Sequence, residues 1–245
     1  MMLLLKKLTV VIAEKIVVQD CSLEITKGSV HAIMGQNGSG KSSLAHSLMG
    51  LSLYQIQEGQ IEFEGQDLIQ LSIHQRNKAG IFLAFQQPVT IPGVSVFQFL
   101  QEIYKASGQE QVASADFLEL LQKLLFKVGL DQSFLYRSLH ENFSGGEKKR
   151  LEILQMLLLK PKLIILDEID SGLDVDALKS IAASVCDYLA ENKDASCLVI
   201  THYCRILDYL EPDFVHVMHK GTIVESGSKD LAFIIEQQGY DRYDR

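Results

Sequence analysis

The nine residues GQNGSGKSS, Gly35 to Ser43, restrict this 245-residue chain more than any other stretch. They fit G-x-x-x-x-G-K-[ST] and lie between an apolar run, SVHAIMG, and a segment with helical apolar spacing, Lys41 to Met49. A strand that turns through glycines into a helix is the setting that makes this pattern a phosphate-binding loop. Gly35, Gly38 and Gly40 let the backbone curl, so that N–H groups along the loop (Gln36, Asn37, Ser39 and on to Ser43) converge on phosphate oxygens. Lys41 supplies a point charge to the β- and γ-phosphates, and the Ser42 hydroxyl is a ligand for Mg²⁺. A glycine-rich turn that merely begins a helix would explain the glycines, but not the lysine and serine beside them.

Two further apolar runs, KLIILDE and SCLVITH, end in polar residues as SVHAIMG ends in glycine. Short continuous apolar runs of this kind are typical of parallel strands covered on both faces. Helical patterns follow them. Leu44, Ala45, Leu48 and Met49 share one side, with Gly50 as a stop, and after Asp174 a stripe runs through Leu178, Ile181, Ala182, Val185 and Leu189. Strand–helix alternation predicts an α/β core. Two regions depart from it. Residues 88–159 read as mostly helical, with ADFLELLQKLLFKVG the clearest element, and form an inserted helical subdomain within a single domain. Residues 1–87 and 160–245 make the core. DFVHVMHKGTIVESG alternates at period two around HKG and predicts a hairpin.

Composition narrows the function classes. A net charge of −8 gives no support to nonspecific nucleic-acid binding. No apolar segment is long enough to span a membrane, so direct membrane insertion is not expected. The opening MMLLLKKLTVVI reads as a first strand rather than a signal sequence. The four cysteines, Cys21, Cys186, Cys197 and Cys204, contain no C-x-x-C pair, which points to a reducing, cytoplasmic compartment. Cys197, His202 and Cys204 have separations that fit no common metal-ligand pattern, and buried free thiols are the expected state.

The acidic pair that ends LIILDE is the second chemical signal. Asp167, at the C-terminal end of a buried strand, can hold a metal through its water shell, and Glu168 can polarise an attacking water. Asp170 or Asp174 reads instead as a cap on the following turn. Gln86, taken as the end of the strand FLAFQ, has an amide that can meet both metal and water. His202, after SCLVIT, points towards the crevice at the strand ends, where it can bond a γ-phosphate.

The stretch NFSGGEKKR poses a different question. Ser144 and Glu147 have capping-box spacing before an apolar run, but a cap does not require Gly145 and Gly146. Glycine in a helix costs about 1 kcal/mol relative to alanine. It is worth that cost where the helix start must come very close to an anion.

Taken together, these motifs resemble the ATP-binding-cassette ATPases over nearly the whole chain: Gly35–Ser42, Gln86, FSGGE, Asp167–Glu168, SGLD at Ser171–Asp174, and His202. The resemblance implies a RecA-like P-loop NTPase core with an N-terminal antiparallel β region and an inserted helical subdomain. It also implies Mg²⁺-dependent ATP hydrolysis, in which Ser144, Gly145 and Gly146 bind the γ-phosphate of ATP held by a second copy. Two copies then close head to tail on two nucleotides. Where cassettes of this family often stack the adenine on an aromatic residue, this chain has Val11 and Ile12, so weaker base contacts are expected.

Finer wording (DEIDSGLD, SGGEKKRLEILQM, FLAFQQPVTIPGVSV) is similar to the SufC-type cassettes of the SUF iron–sulfur cluster assembly system. That resemblance implies scaffold partners like SufB and SufD, docked on the region after Gln86, where Val94, Val96, Phe97 and Phe99 supply apolar side chains. At least half of those four are expected to be core. The alternative is the ATPase subunit of a membrane importer, whose catalytic motifs would be identical. Lys148 or Lys149 either pairs with Glu168 in the resting chain or is solvated on a helix face.

Overall fold

The computed structural model describes residues 1–86, 90–109 and 113–243. The chain starts with two long strands, β1 (Leu3–Ile12) and β2 (Lys15–Ile25), and continues through β3 (Val30–Met34) into α1 (Lys41–Met49). β4 (Gln55–Phe63) and β5 (Gln66–Asp67) then join the first two in an antiparallel sheet of order β2-β1-β4-β5. Helix α2 (Ile73–Ala79), fixed by a Ser72–Gln75 capping box, leads into β6 (Ile81–Ala84).

Next come β7 (Ile91–Ser95), α3 (Val96–Ala106), α4 (Ser114–Val128), β8 (Ser138–Leu139) and α5 (Gly145–Leu159). The sequence reads this stretch as mostly helical, and the structure adds a small antiparallel pair, β7 with β8. Each of these strands lacks a strong period of its own, and the pairing joins segments on either side of α3 and α4, so no local pattern announces it. The expected boundary at 87–88 lies outside the described residues.

The sequence predicts the next elements, β9 (Leu163–Asp167), α6 (Val175–Glu191), β10 (Ser196–Ile200) and the hairpin β11 (Phe214–His219) with β12 (Thr222–Gly227); the structure adds the short α7 (Leu207–Leu210) before the hairpin and α8 (Asp230–Gln238) after it. Six strands form the central sheet, in the order β12-β11-β3-β10-β9-β6, parallel except for the β12 edge.

Alternate side chains of these strands go to opposite faces, and both faces are dry. Ile33, Leu83, Ile165, Leu198 and Ile200 pack with α1 and the antiparallel sheet, against Leu44, Leu48, Leu5 and Leu8. Ala32, Ala84, Ile164, Leu166 and Val199 face the helices, meeting Leu151, Leu154, Leu178 and Val185. Burying each such Leu, Ile or Val contributes about 1.5–3 kcal/mol. Of the four apolar residues after Gln86, Val96 is fully buried and Phe97 and Phe99 pack partly against this second core. Because β3, β6, β9 and β10 run the same way, their C-terminal ends open on one edge of the sheet. That edge receives the loop after Met34, Phe85–Gln86, Asp167–Glu168 and Thr201–His202.

Candidate functional site

Helix α1 begins at Lys41 with no side chain capping it, because Gly40 occupies the cap position at φ +105°. Its first N–H groups are left for an anion. The loop before it is packed too closely for a Cβ at two of its glycines. A methyl on Gly35 would lie 2.3 Å from the Met218 carbonyl oxygen, and one on Gly40 would lie 2.5 Å from that of Val17. Ser39 N donates to Gln36 O at 3.1 Å, and Gly221 N, in the β11–β12 turn, donates to Ser39 O at 2.8 Å. Gln36 and Asn37 are exposed and Ser43 is half-buried. Lys41 is buried and folds back on the loop, its Nζ donating to Gly35 O at 2.8 Å and Gln36 O at 3.0 Å. Burial lowers its pKa, and the nearby Glu168 and Asp167 carboxylates oppose the shift.

On the facing strand end, the Ser42 hydroxyl donates to Asp167 Oδ1 at 2.9 Å. Asp167 Oδ2 is buried with no hydrogen-bond partner, and His46 Nε2 stands 3.7 Å from it. Burial is the main cause that pushes the Asp167 carboxyl up to about 6; the Glu168 charge adds to it and the Ser42 bond opposes it. An unpaired buried carboxylate oxygen beside a serine hydroxyl is a hard oxygen donor set that fits Mg²⁺.

This raised pKa has a sign that can be tested. A folded-state value above the unfolded one means that ionising Asp167 destabilises the fold as pH rises from about 4 to about 6. Asp167→Asn retains an acceptor for Ser42 and removes the charge. Without nucleotide, it is expected to gain about 1–3 kcal/mol over wild type at pH 7.5, with no difference near pH 3.5. Urea titrations at the two pH values measure this. The thermal shift on adding Mg²⁺ and ATP should shrink in the same variant.

Glu168 follows in the left-handed region at φ +47°, a conformation costing about 1–2 kcal/mol for a residue with a side chain. Its N–H donates to Ile200 O at 2.9 Å and its carbonyl accepts from Ser171 N at 3.1 Å. The turn aims its carboxylate between two neighbours. Gln86 Nε2 donates to Oε2 at 2.6 Å, and His202 Nδ1 lies 3.4 Å from Oε1. Gln86 therefore meets Glu168 through its amide nitrogen. It lies beyond β6, which ends at Ala84 and not at Gln86.

Sequence reading missed two supports of this cluster, His46 and the Thr201–Asp170 bond. Thr201 Oγ1 donates to Asp170 Oδ2 at 2.7 Å and accepts from Tyr203 N at 3.0 Å, fixing the turn that carries His202. Asp174, by contrast, caps α6 as expected, accepting from Ala177 N at 2.7 Å. Asp170 does not act as a cap.

Ser144 and Glu147 make the expected capping box: Glu147 N donates to Ser144 Oγ at 3.2 Å, and Ser144 N to Glu147 Oε2 at 2.7 Å. Gly145 and Gly146 lie in the helix without positive φ, and a Cβ at either would make only ordinary contacts at 3.8–3.9 Å. They face a depression of about 530 Å³ lined also by Asp131, Arg150, Gly172, Leu173 and Asp174, with no residue of Gly35–Ser43 among its lining. The structure thus gathers Lys41, Ser42, Gln86, Asp167, Glu168 and His202, and none of these six lines the depression at Ser144–Gly146.

Neither reading of the lysines holds for Lys149. It does not pair with Glu168 and it is not solvated: it is buried, donates to Phe85 O and lies 3.2 Å from Glu152 Oε2. Its position on α5 turns it inward, because that helix is covered by neighbouring elements on most sides. Lys148 is half-buried. Cys21, Cys197 and Cys204 are buried free thiols, and among the described residues no His, Cys, Asp and Glu cluster has metal-binding geometry. Among the described residues no helix is long and apolar enough to cross a membrane. Val11 and Ile12 end β1, half-buried.

Comparison with known proteins agrees with this geometry. The sequence pattern described as ABC transporter matches residues 18–171. The chain is 51% identical to a probable ATP-dependent transporter of Synechocystis, over 98% of this chain and 94% of that protein. It is 48% identical to the probable ATP-dependent transporter SufC of Escherichia coli, over 98% and 97%. Its fold matches that of an ATP-binding cassette solved with ADP and Pi, at a TM-score of 0.82 and 20% identity, covering 93% of this chain and 99% of that one. Identities of this size over almost the full length, together with the family match, show that the chain belongs to the ABC transporter family, as one of its ATPase cassettes.

Proposed function

We propose that this cassette hydrolyses ATP with Mg²⁺ as a head-to-tail dimer and drives conformational change in an iron–sulfur cluster assembly scaffold of SufB- and SufD-like subunits. The observation that supports the dimer is that the depression at Ser144–Gly146 has no residue of Gly35–Ser43 in its lining. In this reading each chain carries two half-sites, and a second copy completes each of them.

Mg²⁺, when bound, would supply charge neutralisation on the phosphates, held by the Ser42 hydroxyl, by Asp167 through its water shell and by the Gln86 amide. Lys41 exchanges the Gly35 and Gln36 carbonyls for phosphate oxygens, joined by the uncapped N–H groups of α1. Water attacks the γ-phosphorus, the bond to the β–γ bridging oxygen breaks, and Glu168 takes the water's proton. His202 steadies Glu168 and the γ-phosphate, and Gln86 keeps the carboxylate in place until nucleotide arrives. In this reading 88–159 moves as a helical subdomain against a core of 1–87 and 160–245, and scaffold subunits dock beside Gln86.

The similarity to the Escherichia coli SufC protein supports the scaffold reading. The word transporter in the relatives' names favours a second one, the ATPase subunit of a membrane importer. Affinity purification from a native lysate separates them. Recovery without detergent, alongside two related scaffold proteins whose addition raises ATPase activity, is the expected result; the rise follows from holding two cassettes at high effective concentration. Recovery chiefly with a polytopic membrane protein would reject the scaffold.

A further inference from the structure

The β6 ladder ends at Ala84, so the next peptide needs hydrogen-bond partners from elsewhere. Phe85 takes both from one helix. Its N–H donates to Glu152 Oε1 at 2.8 Å and its carbonyl accepts from Lys149 Nζ. Lys149 and Glu152 stand one turn apart on α5, 3.2 Å from each other, and each is only 4% exposed. The Phe85 side chain itself is 37% exposed, so its backbone is what α5 holds. One residue further on, Gln86 donates to Glu168 at 2.6 Å.

We propose that Lys149 and Glu152 form a clasp that positions Gln86 on Glu168, tying the catalytic carboxylate to the helix that starts at Ser144–Gly146. The inference rests on the ATPase reading above and deepens it. Fold stability does not account for the pair. A buried ion pair is often no more stabilising than apolar side chains of the same volume, and α5 is otherwise rich in leucine around these two positions. What apolar residues could not do is hold the N–H and the C=O of Phe85, on either side of its Cα, with charge-assisted bonds. Movement of α5, as when a second copy engages its N-terminus, carries Phe85 with it and shifts the amide that restrains Glu168. Lys149 and Glu152 are thus positioning residues and touch no substrate.

Two variants and two readouts test the clasp. Glu152→Leu removes the acceptor, and the double change Lys149→Gln with Glu152→Gln keeps a donor and an acceptor while deleting both charges. The expected result for Glu152→Leu is a kcat lowered about 10-fold or more, with KM for ATP within about twofold, because a small misplacement of a catalytic group can cost up to about 100-fold. The double glutamine variant should return to within about threefold of wild type, since its hydrogen bonds are retained. A folded Glu152→Leu chain with wild-type kcat, or a double variant no better than the single one, overturns the proposal. Amide hydrogen exchange at Phe85 gives an answer even if the wild-type chain proves to lack ATPase activity, an outcome that would sink the ATPase reading itself. Slow exchange in wild type and fast exchange in Glu152→Leu supports the clasp, and equal exchange overturns it.

Discussion

Glu168→Gln is expected to lower ATP turnover by about 100- to 10,000-fold, the range that a positioned general base supplies, while leaving ATP binding within about twofold. The substitution changes no volume, and glutamine can still accept from Gln86 through its carbonyl oxygen. Glutamine at φ +47° is as strained as glutamate, so fold stability should hardly change. What disappears is the lone-pair charge that takes the water's proton, and phosphate contacts are made by Lys41 and the α1 N–H groups instead. With Mg²⁺ and ATP, this variant should accumulate as a closed dimer on gel filtration. Rapid hydrolysis would remove Glu168 from the role of base, and strictly monomeric elution under those conditions would count against the two-chain site.

Gly145→Ala should separate folding from function more sharply. An added methyl would meet nothing closer than the Gly172 carbonyl oxygen at 3.8 Å, and the backbone there is helical. Alanine favours a helix over glycine by up to about 1 kcal/mol, so the variant without nucleotide should melt no lower than wild type. Turnover should nevertheless fall about 100-fold or more, the loss typical when preorganised donors to a developing anion are disturbed. Gly40→Ala makes the contrast, because φ +105° and a 2.5 Å approach to Val17 O set that glycine's need inside its own chain. If Gly145→Ala keeps full turnover, no phosphate of a second subunit approaches this helix start. If it unfolds, the glycine serves packing that the 3.8 Å contact with Gly172 O does not show. Mixing it with Lys41→Ala chains should restore part of the activity, since one composite site in the mixed dimer is then intact.

Much of this protein was determined by sequence, because the signals involved are local. The eight-residue G-x-x-x-x-G-K-S run fixes a loop and a helix start directly after an apolar run, and the structure has β3, the loop and α1 in that order. Period-two and continuous apolar runs announced β3, β9, β10 and the β11–β12 hairpin, since strand side chains must alternate between two dry faces. The Ser144–Glu147 box was equally legible, as were the cap at Asp174 and the stop at Gly50, each depending on residues within one helical turn.

Tertiary structure decided what depends on partners far along the chain. Gln86 and Glu168 are 82 positions apart, and only the adjacency of β6 and β9 brings the amide to the carboxylate. Likewise, β7 and β8 meet only after α3 and α4 have packed, so neither carries enough pattern to be read alone. Lys149 shows the physical reason most plainly. Its sequence context, EKKR, reads as a solvated helix face, and lysine alone strongly prefers water. Burial became tolerable because Glu152 on the same helix and the free Phe85 carbonyl beyond β6 both turned towards it. A charge can be buried only where its partners already are, and their positions are set by the assembled sheet and helices, not by neighbours in sequence.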